Sequence, residues 1–477
     1  MKNLKQFSMT APRLAVVVLV ALQLTACVTA PVPVSTVKTP AVLAKADGNV
    51  AFAPVSQAWW EDFGDPELNR WVEEAVAANR DLKIAIARVK ESRALAGVVE
   101  ASLYPSLNAS AGAGRSRPSL PPGSPIANLY QGGLSATWEA DVFGSKRADV
   151  SQAGYQLQGS VESAKGAYLL VTTETVRRYL ELSGLQRRLT VLRSAITVQE
   201  KTLELTSGRY TAGLSSRFDV ERAQAQLDAT KAQIPQLESA SLTVRKTLGL
   251  LVGKTLQDAP LVAGKSFAAK PLPSEVPGEI LMGRPDIAAA DASMRAQAQA
   301  VKSAKLQWYP RFVFNLDGGR SRVESAGASA LTANVFGVQI GITTPIFDGG
   351  RIRSTIAANA ARLDGAAAQY ESVLLTAISE VDGNYQSYAL LQTRVDHLAS
   401  ARDSARKAAS TAKALYQAGS VDLLSVLLAD GQALTSEDEW VQANALSPIA
   451  YLDVIRAFGG SPSAGDKWLT SAGVTRN

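Results

Sequence analysis

The chain has 477 residues, of which 46% are hydrophobic and only 6% aromatic, and its formal charge is +6. Lys2, Lys5 and Arg13 lie in a short N-terminal segment, and without these three the 49 basic residues become 46, against 43 acidic residues. A charge so close to neutral gives no support to nucleic-acid binding. The length is sufficient for a large core or for several domains.

The N-terminal segment has the composition of a secretory signal peptide. Basic residues precede an apolar stretch from Leu14 to Leu24, which is shorter than the roughly 20 residues of a membrane-spanning helix. Cys27, the only cysteine of the chain, follows Leu24-Thr25-Ala26, and this setting is similar to the lipobox of bacterial lipoproteins. We therefore predict a signal peptide over 1–26 and a covalent lipid on the thiol of Cys27. The alternative is an ordinary signal peptide beside an unrelated cysteine.

The segment after the cysteine is predicted to be a tether. Residues 27–55 are rich in Pro, Val and Thr, which predicts an extended, lipidated segment. The residue that follows the cysteine is Val28 rather than an aspartate. By the same resemblance to bacterial lipoproteins, this indicates a lipid anchor in the outer membrane, with the protein extending into the periplasm.

The remainder of the chain is a duplication with an offset close to 205 residues. Asp81–Pro105 aligns without a gap onto Asp286–Pro310, and Gly-Arg-Ser-Arg occurs at both 114–117 and 319–322. Landmarks that keep one offset indicate two copies of one structural unit. The predicted divisions are a first repeat over 56–252, a Pro-rich connector over 253–283, a second repeat over 284–462 and a C-terminal tail over 463–477.

Both repeats have the same order of predicted elements. Each begins with an Ala-rich helix that ends at a Tyr-Pro pair, because the residue before proline disfavours the helical conformation. Two segments of alternating polarity then predict a pair of strands around a solvated loop. The helices are 81–103 and 286–308, the strands are 106–114, 130–143, 311–319 and 335–347, and the loops are 115–129 and 320–334.

Long helical hairpins complete each repeat. The segments 146–211 and 351–417 lack proline, and each can form one helix of about 66 residues, or about 100 Å. Apolar residues repeat in steps of four and three, which is typical of coiled coils. They are Leu182, Leu185, Leu189, Leu192 and Ile196 in the first repeat, and Tyr370, Leu374, Ala377, Val381, Asn384, Tyr388, Leu391, Val395 and Leu398 in the second.

A Tyr-x-x-Gly turn ends each long helix. Tyr210 and Gly213 recur as Tyr416 and Gly419, and glycine is well suited to the left-handed conformation that terminates a helix. Returning helices are predicted over about 215–252 and 421–458. The duplicated turn is thus the tip of a duplicated helical hairpin.

Four strands are too few to close a barrel. An open sheet in lipid would leave the hydrogen-bonding groups of its edges unpaired, at a cost of several kcal/mol each. Strands of this length and alternation suit a tilted outer-membrane crossing. We therefore expect identical chains to pool their strands around one axis, and the function of such a tube is passage.

Several sequence motifs resemble those of the TolC/OprM-like outer-membrane efflux lipoproteins, the exit ducts of tripartite drug and metal pumps. The matching segments are 59–68 (WWEDFGDPEL), 79–82 (NRDL), 137–144 (TWEADVFG), 284–287 (RPDI), 345–351 (PIFDGGR) and 457–460 (AFGG). The resemblance covers about 55–462. It implies a mainly α homotrimer in which twelve strands form one outer-membrane barrel that continues into a periplasmic α-helical barrel, with 253–283 in an equatorial belt. The implied partners are a periplasmic membrane-fusion adaptor and an inner-membrane RND-type transporter.

The resemblance also implies that the helical tips form the closed gate and the docking site for the adaptor. The tip residues are Gly213, Leu214, Ser215, Ser216, Gly419, Ser420 and Val421. The alternative is that these glycines and serines only cap helices.

Gate residues are predicted just beyond the second tip. Relatives carry an acidic ring there, but the corresponding residue of this chain is Leu428. We therefore expect an apolar constriction at Leu424 or Leu428, unless these leucines belong to the hairpin core. Nearby acids that could substitute are Asp422, Asp430 and Asp219.

No catalytic, metal or cofactor site is predicted, apart from the lipid on Cys27. Residues 249–255 (GLLVGKT) are one residue short of a phosphate-binding loop, and His397, the only histidine, cannot build a histidine-based metal site alone. Trp59 and Trp60 are expected to pack the N-terminal segment onto the helices rather than to bind a ligand. Two alternatives to an efflux duct stay open: the outlet of an ATP-driven secretion system, and a lipid-anchored periplasmic coiled-coil scaffold without a pore.

Overall fold

The computed structural model describes residues 31–45, 50–117, 125–255, 262–268, 270–325, 327 and 329–474. Cys27 and the predicted signal peptide lie outside the described residues. The chain divides into two compact units. The sheet unit includes Arg93–Leu157 and Ala292–Ala368, and the helical unit includes Ser35–Ser92, Gln158–Asp291 and Gln369–Asn477.

Both predicted long helices are present as single elements. The helices are α1 (Pro66–Ala78), α2 (Arg80–Ala101), α3 (Ser145–Thr211), α4 (Arg217–Lys231), α5 (Gln233–Leu251), α6 (Pro285–Leu306), α7 (Arg351–Gln417), α8 (Leu423–Ala457) and α9 (Pro462–Ser471), with short 3₁₀ helices at Trp59–Phe63 and Gly278–Gly283. The predictions for 146–211 and 351–417 are confirmed to within one residue. No helix in the described part of the chain combines the length and the apolar character that a membrane crossing requires.

The first returning helix was predicted as one element over 215–252, and this is wrong. The structure has α4 and α5, which meet at Ala232. Pro235, in the first turn of α5, has no N–H to donate to the carbonyl oxygen of Lys231, so the helical ladder is interrupted there. The second returning helix, α8, continues through Pro448.

The strands are longer at the hairpin end than the sequence predicts. They are β1 (Val42–Lys45), β2 (Ser106–Ser116), β3 (Ala127–Ala140), β4 (Glu275–Pro277), β5 (Arg311–Ser325) and β6 (Leu331–Thr343). The predicted loops 115–129 and 320–334 are therefore partly strand, with Ser116 opposite Ala127 and Val323 opposite Leu331. Backbone pairing in an antiparallel hairpin requires no apolar side chain, so the polar composition of these segments did not reveal it.

The main sheet has the order β2-β3-β5-β6, and β1 pairs with β4 in a separate ribbon. The two repeats meet where β3 lies beside β5, with Gly133 opposite Gly319. A Cβ atom on Gly133 would lie 2.8 Å from the carbonyl oxygen of Gly318, and one on Gly319 would lie 2.7 Å from that of Gly132. Four glycines thus allow the two strands to approach closely.

The sheet has an apolar face and a polar face. Residues directly opposite each other on neighbouring strands share a face, and alternate residues of one strand do so as well. The apolar face carries Leu107, Leu134, Trp138, Phe312, Phe314, Leu316, Phe336, Val338, Ile340 and Ile342. The opposite face carries Gln131, Ser135, Thr137, Glu139, Asn315, Asp317 and Gln339.

The predicted apolar repeat of α7 packs the core of the helical unit. Leu374, Ala377, Val381 and Tyr388 are buried, together with Val276 from β4 and with the end of α8. The Tyr388 hydroxyl donates to the carbonyl oxygen of Lys270, 2.6 Å away, so part of the predicted connector is attached to α7. Trp59 and Trp60 are both buried and contact each other edge to face, which agrees with a packing role.

Candidate functional site

The two predicted tips have the same backbone hydrogen bonds. The N–H of Leu214 donates to the carbonyl oxygen of Arg209 at 2.8 Å, and the N–H of Gly213 donates to that of Tyr210 at 2.9 Å. This pair of bonds around a residue with positive φ is a Schellman motif, and φ of Gly213 is 74°.

The second tip repeats this motif. The N–H of Ser420 donates to the carbonyl oxygen of Leu415 at 2.8 Å, and the N–H of Gly419 donates to that of Tyr416 at 3.0 Å. The φ of Gly419 is 78°. The duplicated Tyr-x-x-Gly sequence therefore encodes one helix-terminating turn, used twice.

The returning helices begin with caps in which serine and aspartate have exchanged places. In the first, Ser216 is the N-cap, its hydroxyl oxygen accepts from the N–H of Asp219 at 3.2 Å, and its own N–H donates to the Asp219 carboxylate at 3.0 Å. In the second, Asp422 is the N-cap, and it accepts from the N–H and the hydroxyl of Ser425 at 2.9 and 2.7 Å. Two of the predicted gate acids, Asp219 and Asp422, thus stabilise helix starts.

The outermost tip residues are exposed while the turn below them is packed. Gly213, Leu214, Ser216, Gly419 and Ser420 are all exposed. Beneath them, one apolar cluster joins α4, α7 and α8 and consists of Ala223, Tyr416, Leu423 and Val426, with Val421 packed against it. The tips are therefore exposed turns on a packed apolar base, which is suited to contact with a partner.

The two predicted gate leucines lie on the exposed side of α8. Leu424 is 36% exposed and Leu428 is 66% exposed, whereas Leu423 and Val426 on the same helix are buried. In the single chain, Leu428 therefore does not belong to the hairpin core, and that alternative is wrong. An exposed apolar residue at this position is available to face identical residues around an axis.

Asp430, the remaining gate candidate, lines an open cavity in the helical unit. The cavity has a volume of about 320 Å³ and is lined by α3, α7 and α8. Burial raises the pKa of the Asp430 carboxyl, and the charge of Lys413 opposes this shift. One carboxylate oxygen of Asp430 and the side-chain oxygen of Gln199 are buried without a hydrogen-bond partner among the described residues. Asp430 therefore differs from Asp219 and Asp422, whose carboxylates are used by helix caps.

Arginines attach α8 to the two long helices, and the sequence did not predict them. Arg188 of α3 donates two hydrogen bonds to the Asp438 carboxylate, at 2.8 and 2.7 Å. Arg402 of α7 lies over the Trp440 ring, 3.9 Å from its centroid, and Arg187 of α3 lies on the same ring at 5.7 Å. These partners are far apart in the sequence, so no local pattern reveals them.

A buried acid fixes part of the predicted connector. Asp65 caps α1 and accepts from the Tyr179 hydroxyl at 2.6 Å and from the Lys265 ammonium at 2.7 Å. Burial alone would raise its pKa, but the hydrogen bonds from Lys265 and Tyr179 hold the pKa of Asp65 below its ordinary value. The carboxylate of Asp65 is therefore charged at neutral pH and positions the segment around 265.

Comparison with known proteins gives one consistent result. A sequence model of the family "Outer membrane efflux protein" matches residues 71–254 and 276–460. The outer membrane protein OprJ of Pseudomonas aeruginosa is 28% identical over 448 residues, which are 88% of this chain and 93% of OprJ. The probable outer membrane lipoprotein SilC of Salmonella typhimurium is 24% identical over 405 residues, which are 84% of this chain and 87% of SilC.

A solved structure gives the same result. The outer-membrane channel OprN superimposes with a TM-score of 0.80 at 29% identity, and the match covers 91% of this chain and 99% of OprN. The duplicated strand pair and helical hairpin therefore define an outer-membrane channel protein of the TolC type. The chain belongs to the outer membrane efflux protein family.

Proposed function

We propose that this protein is the exit duct of a tripartite efflux pump and passes drugs or other small molecules through the outer membrane. Family membership supports export, and the OprN name describes a channel. The duct performs no chemical step, so the chain needs positioned surfaces rather than a catalytic centre. Selection of the cargo belongs mainly to the pump that delivers it.

The observation that carries this proposal is the two-faced sheet with unpaired edges. The outer strands β2 and β6 each have a neighbour on one side only. The apolar face suits lipid, and lipid offers no partner for the free edge groups. Pairing of β2 in one chain with β6 in the next satisfies both edges, and three chains then supply twelve strands, as the resemblance implies. The homotrimer is part of the proposal.

The proposed partners are a periplasmic membrane-fusion adaptor and an inner-membrane RND-type transporter. We assign adaptor docking to the exposed tips, because Gly213, Leu214, Ser216, Gly419 and Ser420 are accessible over a packed base. We assign closure of the duct to Leu424 and Leu428. Both leucines are exposed in the single chain, as a constriction formed between chains requires.

The lipid on Cys27 is proposed as the anchor of the mature N-terminus. The name of SilC describes a lipoprotein, which supports the assignment made from the sequence. Cys27→Ser should abolish incorporation of labelled palmitate while the wild-type chain incorporates it. Incorporation by the variant at the wild-type level would contradict lipidation at this residue.

Disulfide trapping tests the trimer and the channel together. One cysteine is placed at Ala109 in β2, a second is moved along β6 from Phe336 to Ile342, and outer membranes are oxidised. We expect some pairs to yield covalent trimers, because edge strands of neighbouring chains lie side by side. The control pair Ala136→Cys and Leu316→Cys lies opposite within one chain and should give only internally linked monomers.

Two results would contradict the proposal. Monomers that alkaline carbonate extracts from membranes would favour the periplasmic scaffold. Loss of polypeptide secretion with unchanged drug export, after deletion of the gene, would favour the outlet of an ATP-driven secretion system.

A further inference from the structure

The Gly-Arg-Ser-Arg sequence, present in both repeats, places arginines at one end of the sheet. Arg320 lies opposite Gly132, Arg322 lies opposite Tyr130, and Arg115 lies opposite Asn128. Asn128, Tyr130 and Gly132 are alternate residues of β3, so the three arginines share one face of the sheet. We call these three residues the arginine rim.

The arginine rim lies on the apolar face and begins where the apolar residues end. Leu134 and Trp138 continue the series of alternate residues that contains Tyr130. On β6, the residue opposite Arg320 is Asn334, which is two positions beyond Phe336. On this face, large apolar side chains are therefore followed by guanidinium groups only two positions further along the strands.

The distances fit a membrane boundary. Trp138 and Tyr130 are eight positions apart on β3, which is about 27 Å along an antiparallel strand. A strand tilt of about 40° reduces this to about 21 Å across the membrane, close to the apolar band of about 25 Å in outer-membrane barrels. Arg322, in the same row as Tyr130, is then at the level of the lipid headgroups.

The arginine rim is accessible and only partly neutralised. Arg115, Arg320 and Arg322 are all exposed. Arg322 contacts Glu324 at 2.6 Å, whereas Arg115 and Arg320 make no ion pair with any residue in the described part of the chain. Arg320 and Arg322 also line an open concavity of about 690 Å³, together with Tyr130 and the small residues Ala111, Ala113 and Gly132. Small residues leave room there for a headgroup beside two guanidinium groups.

We propose that the arginine rim binds the phosphate groups of phosphorylated lipids in the outer leaflet. Guanidinium groups bind phosphate through two parallel hydrogen bonds, and long arginine side chains keep their charge at a membrane surface while their stems cover apolar area. A lipid is favoured over free phosphate because the site continues directly into a face that lipid tails cover. This inference rests on the membrane placement proposed above.

The test measures lipid retention by the purified full-length protein. Protein in neutral detergent is mixed with bisphosphorylated lipid A or with its enzymatically dephosphorylated form, and bound lipid is counted by native mass spectrometry. We expect the wild type to prefer the phosphorylated form. The double variant Arg320→Gln/Arg322→Gln should bind it at least about tenfold more weakly, since each arginine near a membrane surface contributes to attraction of anionic lipid. Arg311→Gln is the matched control, at the opposite end of β5 and on its polar face.

Three results would overturn the inference: equal binding of both lipid forms by the wild type, equal binding by wild type and double variant, or displacement of the lipid by millimolar inorganic phosphate. The last result would identify a site for free phosphate. Fractionation of the same cells separates this inference from the proposed function. Protein that reaches the outer membrane without a preference for phosphorylated lipid refutes only the arginine rim, whereas protein absent from the outer membrane refutes the duct.

Discussion

The guanidinium of Arg209, in the last turn of α3, lies over the ring of Tyr416, in the last turn of α7, at 4.8 Å from the ring centroid. It also donates a hydrogen bond of 3.3 Å to the carbonyl oxygen of Tyr416. One arginine thus joins the two turns. The repeats differ here, because Tyr416 is 5% exposed whereas its counterpart Tyr210 is 45% exposed.

This difference predicts unequal effects of one substitution at equivalent positions. Tyr416→Ala removes a buried ring and should reduce the local stability of the tips by about 3 kcal/mol. Tyr210→Ala is the matched control and should cost less than about 1 kcal/mol. Hydrogen exchange of the amides around 415–427 measures both effects. Equal loss of protection in the two variants would show that the tips are energetically equivalent.

Gly419→Ala tests whether the left-handed turn, rather than space, requires glycine. A Cβ atom on Gly419 meets nothing within 4 Å, but φ of 78° costs an alanine about 1–2 kcal/mol. We expect faster hydrogen exchange at the second tip and reduced drug export, with the amount of outer-membrane protein unchanged. Gly431 lies inside α8, and a Cβ atom there also meets nothing within 4 Å. Gly431→Ala should therefore stabilise the helix by about 0.5–1 kcal/mol. Export at the wild-type level in Gly419→Ala would argue against docking at this tip.

The caps predict an acid-labile tip. The hydroxyl and N–H of Ser425 donate to Asp422 and lower the pKa of its carboxyl. A lowered pKa in the folded state contributes stability above the unfolded value of about 3.9, and this contribution is lost as the pH falls further. The first turn of α8 should therefore lose protection below about pH 4.

Asp422→Asn provides the control for this pH dependence. Asparagine caps helices nearly as well as aspartate, so the variant should keep α8 folded at pH 7 and lose most of the acid-induced change at the tip. An acid transition of unchanged size in Asp422→Asn would assign the effect to other carboxylates.

Asp430 predicts a pH dependence of folding stability opposite to that of Asp422. Burial raises the pKa of its carboxyl, and a raised pKa means that the folded state loses stability as the pH increases through that value. Asp430→Asn should therefore raise the thermal midpoint at pH 7, with a smaller gain at pH 4. The charged groups near this carboxyl are Lys413 and the Arg406–Glu437 pair that lines the same cavity.

Asp438→Asn is the contrasting variant on the same helix. It weakens the two hydrogen bonds from Arg188 and should cost about 1–3 kcal/mol at pH 7. Thermal midpoints that move in the same direction for Asp430→Asn and Asp438→Asn would contradict this account of the cavity.

The spacing of apolar residues and the positions of prolines predicted most of the fold. The long helices were located because proline is absent from them, and the apolar repeat through Leu374 and Tyr388 identified their packed side. The break at Ala232 was missed, although Pro235 was visible in the sequence. Proline alone does not decide the outcome, because α8 continues through Pro448.

Site prediction depended on whether the interactions are local. The tips were predicted because a helix-terminating turn is encoded within four residues, from Tyr210 to Gly213. The contacts of Arg188 and Arg402 were missed because their partners belong to another helix. The acids near the second tip look alike in sequence, and only burial separates Asp430 from Asp422.

The exchanged caps show how divergence can leave a physical task untouched. At the equivalent positions of the two repeats, serine is replaced by aspartate and aspartate by serine. A side-chain oxygen of the N-cap residue nevertheless accepts from the N–H three residues later in both returning helices. The common origin of the two repeats is therefore clearer from pairs of positions than from single ones, since both repeats have the N-cap bond and the acid lies at opposite ends of it.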